Sequence, residues 1–537
     1  MQRGPALIDR RHQQGIRAAG IAVALALLLA SPLTGAAERC RATPDFRSLD
    51  ELRSAIADGN ETSAKRIRKV LSRARGLERC FDLNAVTDWN PDAEAIARAQ
   101  DNRRKRAPTA TILEQPLHGV PVLLKANIDT ADAMPTHAGA NALAGRRAGT
   151  DAPIATHLRN AGAILVGKAN LSEWANFRGE SSISGWSGLG GQVRNPHALD
   201  RNPCGSSSGS ASAVAAGIVP VAIGTETNGS IVCPAGVNGV VGYKPTHGRA
   251  STAGIIPIAA TFDTPGPFAR SVREAARVGS VLINDGEDLE AALDGATLTG
   301  KTIAVWRDHF GAESDPRLVE VMDAAVEALR AGGATLIDPW AFTIADSVFD
   351  DSFAVMLHEF HTGVDAFLAR EDRHTGPATL VDIIAFNRAN AELTMPWFGQ
   401  ELLTQARDKS LSNAEHLQVI AGSRGALREA LTAEQREHGF DAVIALTNAP
   451  AWPIDVIAGD NFTLASSSLG AITGRPAVSL PAGAIHGLPV GVSLIGELNK
   501  DAALLALAHA LEARLPPAPR ATFRATLETG DALAAQR

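Results

Sequence analysis

Short apolar runs alternate with amphipathic segments from residue 117 to about residue 285. An apolar run of four to eight residues between turn signals is typical of a buried strand. Such runs predict strands at GVPVLLKA (119–126), AILVGKA (163–169) and VPVAIG (219–224). Helical patterns lie between them, including the Ala-rich segment 208–217. The alternation predicts an α/β/α layered domain with a mixed, mostly buried central sheet surrounded by helices.

The remaining pattern divides the chain into three further parts around this core. Residues 38–110 have apolar positions at helical spacing and predict an N-terminal helical layer. The main domain is predicted over 111–515, with a mostly helical part at 340–440. Within it, residues 263–285 read as a turn followed by an amphipathic helix, and residues 516–537 read as a loosely held C-terminal tail.

The first 37 residues have the pattern of a secretory signal peptide. Arg10, Arg11 and Arg17 precede an apolar run at 18–30, and small residues follow up to Ala37. Such a run is short for a membrane span, which needs about 20 residues. We expect cleavage near Ala37 and a periplasmic or secreted protein without a stable membrane anchor, the alternative being an uncleaved N-terminal anchor.

Composition and charge restrict the class of partner. The 537 residues are 45% hydrophobic and 20% charged, with a net charge of −7, which is ordinary for a globular protein. No basic patch with interleaved aromatic residues is present, so nucleic acid is not an expected partner. Cysteine and histidine have no metal-ligand spacing, since HEFH at 358–361 is one residue short of HExxH, and we expect no metal.

Two serines between glycines dominate the segment 203–234, PCGSSSGSASAVAAGIVPVAIGTETNGSIVCP. Its second loop, GTETNGS, can direct consecutive backbone N–H groups at one point. Acyl-transfer enzymes stabilise a developing oxyanion in this way, and one donor is worth ~2.7–4 kcal/mol. Ser230, at the end of this loop, is therefore the candidate nucleophile, and Ser206 lies in the first loop.

A serine nucleophile needs a base, and Lys125 at the end of a predicted buried strand can supply it. The reference pKa of a lysine is ~10.4, so a base active at neutral pH needs a pKa lowered by roughly 3 units. Burial in an apolar environment can produce such a shift because it disfavours the charged form.

Three motifs together resemble those of the amidase signature family: GVPVLLKANIDT, PCGSSSGSASAVAAG and GTETNGSIVCPAGVNGVVGYKP. The resemblance spans roughly residues 45–515 and is nearest to bacterial peptide amidases. It implies a Ser-Ser-Lys triad in which Ser230 attacks, Ser206 relays the proton and Lys125 is the base. It also implies a cis peptide bond between Gly205 and Ser206 and an amidase without metal or organic cofactor.

The resemblance further implies an oxyanion hole and its supporting residues. Backbone N–H groups of Thr227, Asn228, Gly229 and Ser230 would form the hole. Ser207 and Thr225 would be supporting hydroxyls. The chain departs from the commoner family pattern, which has Asp at the position of Glu226 and Gly at the position of Asn228.

Four cysteines allow three complete pairings. Cys40 and Cys80 flank the same N-terminal helical segment and are a possible disulfide in an oxidising compartment. Cys204 and Cys233 lie close to the two serines in sequence. For these two, a disulfide and a pair of buried free thiols both remain open.

Two alternatives belong to other functional classes. Residues 205–209, GSSSG, match the G-x-S-x-G nucleophile elbow and would make Ser207 the nucleophile of an α/β-hydrolase-type esterase. That motif requires a preceding strand, whereas RNPC precedes it here. The other alternative is an inactive exported binding protein of the same fold. The sequence specifies neither the amide substrate, small-molecule or peptide, nor the oligomeric state.

Overall fold

An eleven-stranded mixed sheet runs through the computed structural model, which describes residues 43–106, 115–309, 311–370 and 376–527. From Pro44 onward, the described residues form one compact unit. The predicted signal peptide at 1–37 lies outside the described residues. Among the residues that are described, no helix combines the length and the apolar character needed to cross a bilayer.

The strands are numbered in chain order. They are β1 (Val86–Trp89), β2 (Pro121–Lys125), β3 (Ile164–Ala169), β4 (Trp186–Ser187), β5 (Gly191–Gln192), β6 (Val221–Glu226), β7 (Val241–Lys244), β8 (Thr264–Ala269), β9 (Thr302–Val305), β10 (Thr335–Ile337), β11 (Ala442–Leu446), β12 (Ala477–Ile485) and β13 (Leu488–Gly496). In the large sheet the order is β1-β3-β2-β6-β8-β7-β12-β13-β11-β9-β10, while β4 and β5 form a separate pair. Strand β2 is parallel to both β3 and β6, and β6 is antiparallel to β8, so the sheet is mixed.

Helices surround the sheet. The α-helices are Leu49–Ala57, Ser63–Phe81, Ala93–Arg106, Pro153–Asn160, Ser208–Ala215, Val232–Asn238, Val272–Ile283, Pro316–Ala331, Asp346–Leu368, Leu380–Ala389, Ala391–Thr394, Glu401–Asp408, Asn413–Ile420, Ala426–His438, Ser467–Thr473 and Asp501–Glu512. A π-helical turn at Ala421–Gly425 joins two of them.

Both faces of the sheet are buried, as strand β11 illustrates. Side chains alternate between the two faces of a strand. Ala442, Ile444 and Leu446 belong to one hydrophobic cluster, which includes the helix Pro316–Ala331. Val443 and Ala445 belong to the other cluster, which includes Phe360 of the helix Asp346–Leu368. The predicted α/β/α architecture with a mixed, mostly buried sheet is therefore confirmed.

Three predictions of local structure were incomplete. The segment read as a turn before the helix Val272–Ile283 contains strand β8, which pairs with β6 and β7. The N-terminal layer is helical but also contributes the edge strand β1. Part of the predicted loose tail is bonded to the domain: Phe523 N donates to Pro196 O over 2.8 Å, and Leu199 N donates to Arg524 O over 2.9 Å.

Candidate active site

The candidate base and its partners meet at one edge of the sheet because β2 and β6 are parallel neighbours. Leu124 of β2 pairs with Ile223 of β6, so Lys125 and Thr225 follow at the same end of the two strands. The carboxyl ends of adjacent parallel strands are the usual place for a site in an open α/β sheet. The loops that leave these strands carry the remaining candidate residues.

Lys125 is completely buried and points its amine at hydroxyl groups. Its Nζ atom lies 2.7 Å from Ser206 Oγ, 2.9 Å from Thr225 Oγ1 and 3.2 Å from the Thr225 carbonyl oxygen. A neutral amine can donate to the carbonyl and still accept a proton from a serine hydroxyl. The arrangement is chemically suited to proton transfer between Ser206 and Lys125.

Burial allows the amine of Lys125 to be unprotonated near neutral pH. Desolvation lowers the pKa of Lys125 from 10.5 to about 7, and the carboxylates of Asp263 and Glu226 oppose this shift. Burial raises the pKa of Asp263 to about 6, while hydrogen bonds to its carboxylate work in the opposite direction. Lys125 therefore changes protonation in the pH range where a general base is useful.

The first serine loop has an unusual backbone. Cys204 is in the left-handed region with φ of 55°, and the following Gly205–Ser206 peptide bond is cis, as predicted. Ser172 N donates to Ser206 O over 3.1 Å, which holds this turn against the neighbouring segment. A Cβ atom at position 205 would come within 2.1 Å of Ser172 Oγ, so any larger residue would displace that hydroxyl.

The second serine loop presents amide groups without acceptors. Within the described residues, none of the four backbone N–H groups from Thr227 to Ser230 donates a hydrogen bond, and Ser230 Oγ has no partner. Gly229 has φ of 82°, a value that favours glycine. The loop is joined to the first by a bond of 3.3 Å from Ser207 N to Ser230 O. These free donors are suited to binding an oxyanion.

The two residues that depart from the family pattern make specific contacts. Glu226 accepts from the backbone amides of Ile231 and Val232, 2.7 and 3.0 Å away, at the start of the helix Val232–Asn238. The exposed Asn228 accepts from Ser467 Oγ over 2.7 Å and donates to Ser468 Oγ over 3.0 Å. Asn228 thus connects the loop to the start of the helix Ser467–Thr473.

Ser207, the alternative nucleophile, is placed unfavourably for attack. It is fully buried, and its Oγ donates to Thr225 O over 3.0 Å while accepting from Thr225 N over 3.2 Å. No strand lies immediately before the GSSSG segment, because residues 202–204 have no regular secondary structure. The nucleophile-elbow interpretation is therefore wrong, and Ser207 instead supports the residue that contacts Lys125.

Sequence reasoning missed two residues beside Lys125. Asp263 accepts from Thr227 Oγ1 over 2.5 Å and from the backbone amides of Ile258 and Ala259. Asn127 donates to Thr225 Oγ1 over 3.1 Å. Asn127 could have been suspected because it lies two residues after Lys125. Asp263 could not, because its position depends on the pairing of β6 with β8.

The cysteines of the site form a disulfide, which resolves the alternative left open by the sequence. Cys204 and Cys233 are bonded, with their Cα atoms 6.0 Å apart. Cys80 is also disulfide-bonded, and its predicted partner Cys40 lies outside the described residues.

Known proteins of similar sequence and structure align with most of this chain. The family model described as Amidase matches residues 67–505. A probable amidase of Arabidopsis thaliana is 32% identical over 505 residues, covering 89% of this chain and 92% of its own length. A glutamyl-tRNA(Gln) amidotransferase subunit of Deinococcus radiodurans is 32% identical, covering 87% of this chain and 97% of its own. The structure of native peptide amidase from Stenotrophomonas maltophilia aligns with a TM-score of 0.80 and 38% identity, covering 89% of this chain and 98% of that chain.

Proposed function

The chain belongs to the amidase signature family, and from this premise we propose that it is an exported serine amidase acting through an acyl-enzyme on Ser230. It would hydrolyse a carboxylic amide to the acid and ammonia. One observation carries the proposal: the buried Lys125 amine lies 2.7 Å from Ser206 Oγ, beside the loop that holds Ser230. Family membership alone does not establish activity, whereas this contact supplies a base for a serine nucleophile.

The proposed reaction begins with attack of Ser230 Oγ on the amide carbonyl carbon. The Ser230 proton passes to Ser206 Oγ as the Ser206 proton passes to Lys125 Nζ. The oxygen of the tetrahedral intermediate accepts hydrogen bonds from the free N–H groups between Thr227 and Ser230. The C–N bond breaks as the same relay returns the proton to nitrogen, and ammonia leaves. Water then attacks the acyl-enzyme by the same route and restores Ser230.

Peptides with a C-terminal amide are the first proposed substrates, followed by aliphatic and aryl amides. The similarity to a protein named peptide amidase, with 38% identity over nearly its whole length, supports this order. The similarity to an amidotransferase subunit suggests a second class, in which ammonia passes to a partner protein. The predicted signal peptide favours the first class, because aminoacyl-tRNA synthesis is cytosolic. Esters are expected as additional substrates because they are easier acyl donors.

Export to the periplasm or the exterior remains part of the proposal. Two features support it: the signal-peptide pattern of residues 1–37 and the use of cysteine in disulfides. Disulfides persist mainly in oxidising compartments. N-terminal sequencing of the protein recovered from a periplasmic fraction should begin near residue 38. Recovery of the full-length chain from the cytoplasm would contradict export without affecting the amidase assignment.

Ammonia release from a panel of amides tests the proposed reaction. The panel comprises peptide amides, free amino-acid amides and aryl amides, each incubated with the purified mature chain. We expect the highest kcat/KM with peptide amides and no activity in Ser230→Ala. Hydrolysis that persists in Ser230→Ala, or activity that depends on an added partner, would contradict the proposal.

A serine-directed fluorophosphonate separates the remaining alternatives. The amidase mechanism predicts labelling that disappears in Ser230→Ala and persists in Ser207→Ala. An inactive binding protein of the same fold predicts no labelling of either residue. The reagent reports on the nucleophile without requiring the natural substrate to be known.

A further inference from the structure

The Cys204–Cys233 disulfide joins the two loops that carry the two serines. Cys204 immediately precedes the cis Gly205–Ser206 bond. Cys233 lies three residues after Ser230, in the first turn of the helix Val232–Asn238. The bond closes a sequence separation of 29 residues, with a Cα–Cα distance of 6.0 Å. It is therefore a covalent link between the two halves of the candidate site.

Hydrogen bonds extend this link to residues that flank each serine. Ser208 Oγ donates to Cys204 O over 2.6 Å, which ties the disulfide to the far side of the Ser206 turn. Cys233 N donates to Gly229 O over 2.9 Å, which ties it to the residue before Ser230. A displacement of either cysteine would therefore be transmitted to one of the serine loops.

Hydrogen bonds also join the two loops directly: Ser207 Oγ donates to Thr225 O over 3.0 Å and accepts from Thr225 N over 3.2 Å. The backbone bond from Ser207 N to Ser230 O is 3.3 Å, longer than the usual N–H···O distance. Cys204 also has a left-handed backbone, with φ of 55°, which a residue other than glycine keeps only when its surroundings enforce it. The disulfide adds a covalent constraint on the separation of the two loops to these hydrogen bonds.

The sulfur atoms are buried in an apolar environment. Cys204 is 4% exposed and Cys233 is 3% exposed, and both pack in a cluster with Val237, Trp452 and Leu488. The folded protein shields them from thiols in solution. A bond in this position acts as a permanent constraint on geometry.

We propose that the Cys204–Cys233 disulfide is a positioning element that sets the distance between Ser206 and Ser230 for acyl transfer. This inference rests on the proposed function. Without the bond, the amide would still bind, but the serines would be held less accurately. A misplacement of about 1 Å can reduce the rate about 100-fold. The expected signature is therefore a lower kcat with a nearly unchanged KM.

The test compares two disulfide deletions in the mature chain. Cys204→Ala/Cys233→Ala removes the bond at the site, and Cys40→Ser/Cys80→Ser removes the other predicted bond as a matched control. Folding is checked by circular dichroism and thermal melting. Assays are run well below the melting temperature of each variant. The readouts are kcat and KM on the best peptide amide, together with the rate of fluorophosphonate labelling.

We expect kcat and the labelling rate of Cys204→Ala/Cys233→Ala to fall about 10- to 100-fold, with KM within about threefold of the wild type. The control should retain kcat within about twofold. A folded site variant with wild-type kcat and labelling would overturn the inference. So would a control that loses as much activity as the site variant, since the effect would then follow from lost stability.

A second variant covers the case in which the double alanine chain does not fold. Cys204→Ala/Cys233→Val restores part of the lost volume, and it should show the same loss of kcat. If this variant also fails to fold, the bond serves stability and the inference is wrong. Wild-type protein that is labelled at Ser230 but hydrolyses no amide would contradict the proposed function, while the labelling rates would still test the inference.

Discussion

Replacing Lys125 with methionine should stabilise the folded protein, and the gain should shrink as the pH rises. A lysine held neutral in the folded state costs stability wherever the unfolded chain would protonate it. Burial lowers the pKa of Lys125 from 10.5 to about 7. A shift of one pKa unit corresponds to about 1.4 kcal/mol, so the full cost of Lys125 to the stability of the folded protein is about 5 kcal/mol. Methionine has a similar length and carries no charge.

The direction of this pH dependence follows from the number of protons that Lys125 binds in the folded and unfolded states. Between pH 7 and pH 10.5 the unfolded chain binds more protons at this site than the folded chain, so wild-type stability rises with pH. Lys125→Met lacks this dependence. The difference in the free energy of unfolding between the two proteins should therefore change by about 2 kcal/mol from pH 7 to pH 9. The lost hydrogen bonds to Ser206 and Thr225 reduce the gain in the free energy of unfolding but do not change how this gain depends on pH.

Urea unfolding monitored by circular dichroism measures both quantities. The wild type and Lys125→Met are unfolded at pH 7, 8 and 9 in the same buffer mixture. The matched control is Lys65→Met, on the exposed side of the helix Ser63–Phe81. It should show the same pH dependence as the wild type. If the difference in the free energy of unfolding between wild type and Lys125→Met stays constant from pH 7 to pH 9, Lys125 is not neutral in the folded protein and the reasoning is refuted.

Three further outcomes are expected for the proposed amidase. The kcat/KM of the wild type should fall about tenfold per pH unit below pH 7 as Lys125 becomes protonated, and a flat rate between pH 8 and pH 5 would contradict its role as a base. Gly205→Ala should lower activity at least tenfold because its Cβ would displace Ser172, whereas Gly145→Ala, with open space around it, should be neutral in the same assay. Thr227→Val should lower kcat by about 10-fold because the buried Asp263 carboxylate loses a hydrogen bond worth about 1–3 kcal/mol. Thr227→Ser keeps the hydroxyl and should restore kcat. Equal kcat values for the two variants would show that the hydroxyl is not needed.

The strands that carry the catalytic candidates were predictable from local pattern. Pro121–Lys125 and Val221–Glu226 coincide with the short apolar runs predicted at 119–126 and 219–224, and both are fully buried strands. Strand β8 was missed because Pro265 and Pro267 suggested a turn. Proline removes a donor from the ladder. Here β7 is paired with β8 only at Phe268 and Ala269, so both prolines lie where β8 is paired with β6 alone.

Contacts within the site could be predicted only in part. The resemblance anticipated the segments containing Lys125, Ser206 and Ser230, and the structure brings Lys125 and Ser206 into contact. Asp263 was not anticipated, because only the register of β6 with β8 places it near Thr227. The state of Cys204 and Cys233 was also open, since a disulfide depends on a Cα separation that sequence spacing does not determine.

Trapping the acyl-enzyme tests the central claim most directly. The purified mature chain is mixed with a peptide amide, or with an ester of the same acyl group, quenched in acid within milliseconds and digested for mass spectrometry. Acyl transfer through Ser230 predicts a mass increase equal to the acyl group on Ser230, absent from Ser230→Ala. An acyl group on any other residue, or turnover without any acylated peptide when the acyl-enzyme is slow to hydrolyse, would contradict it.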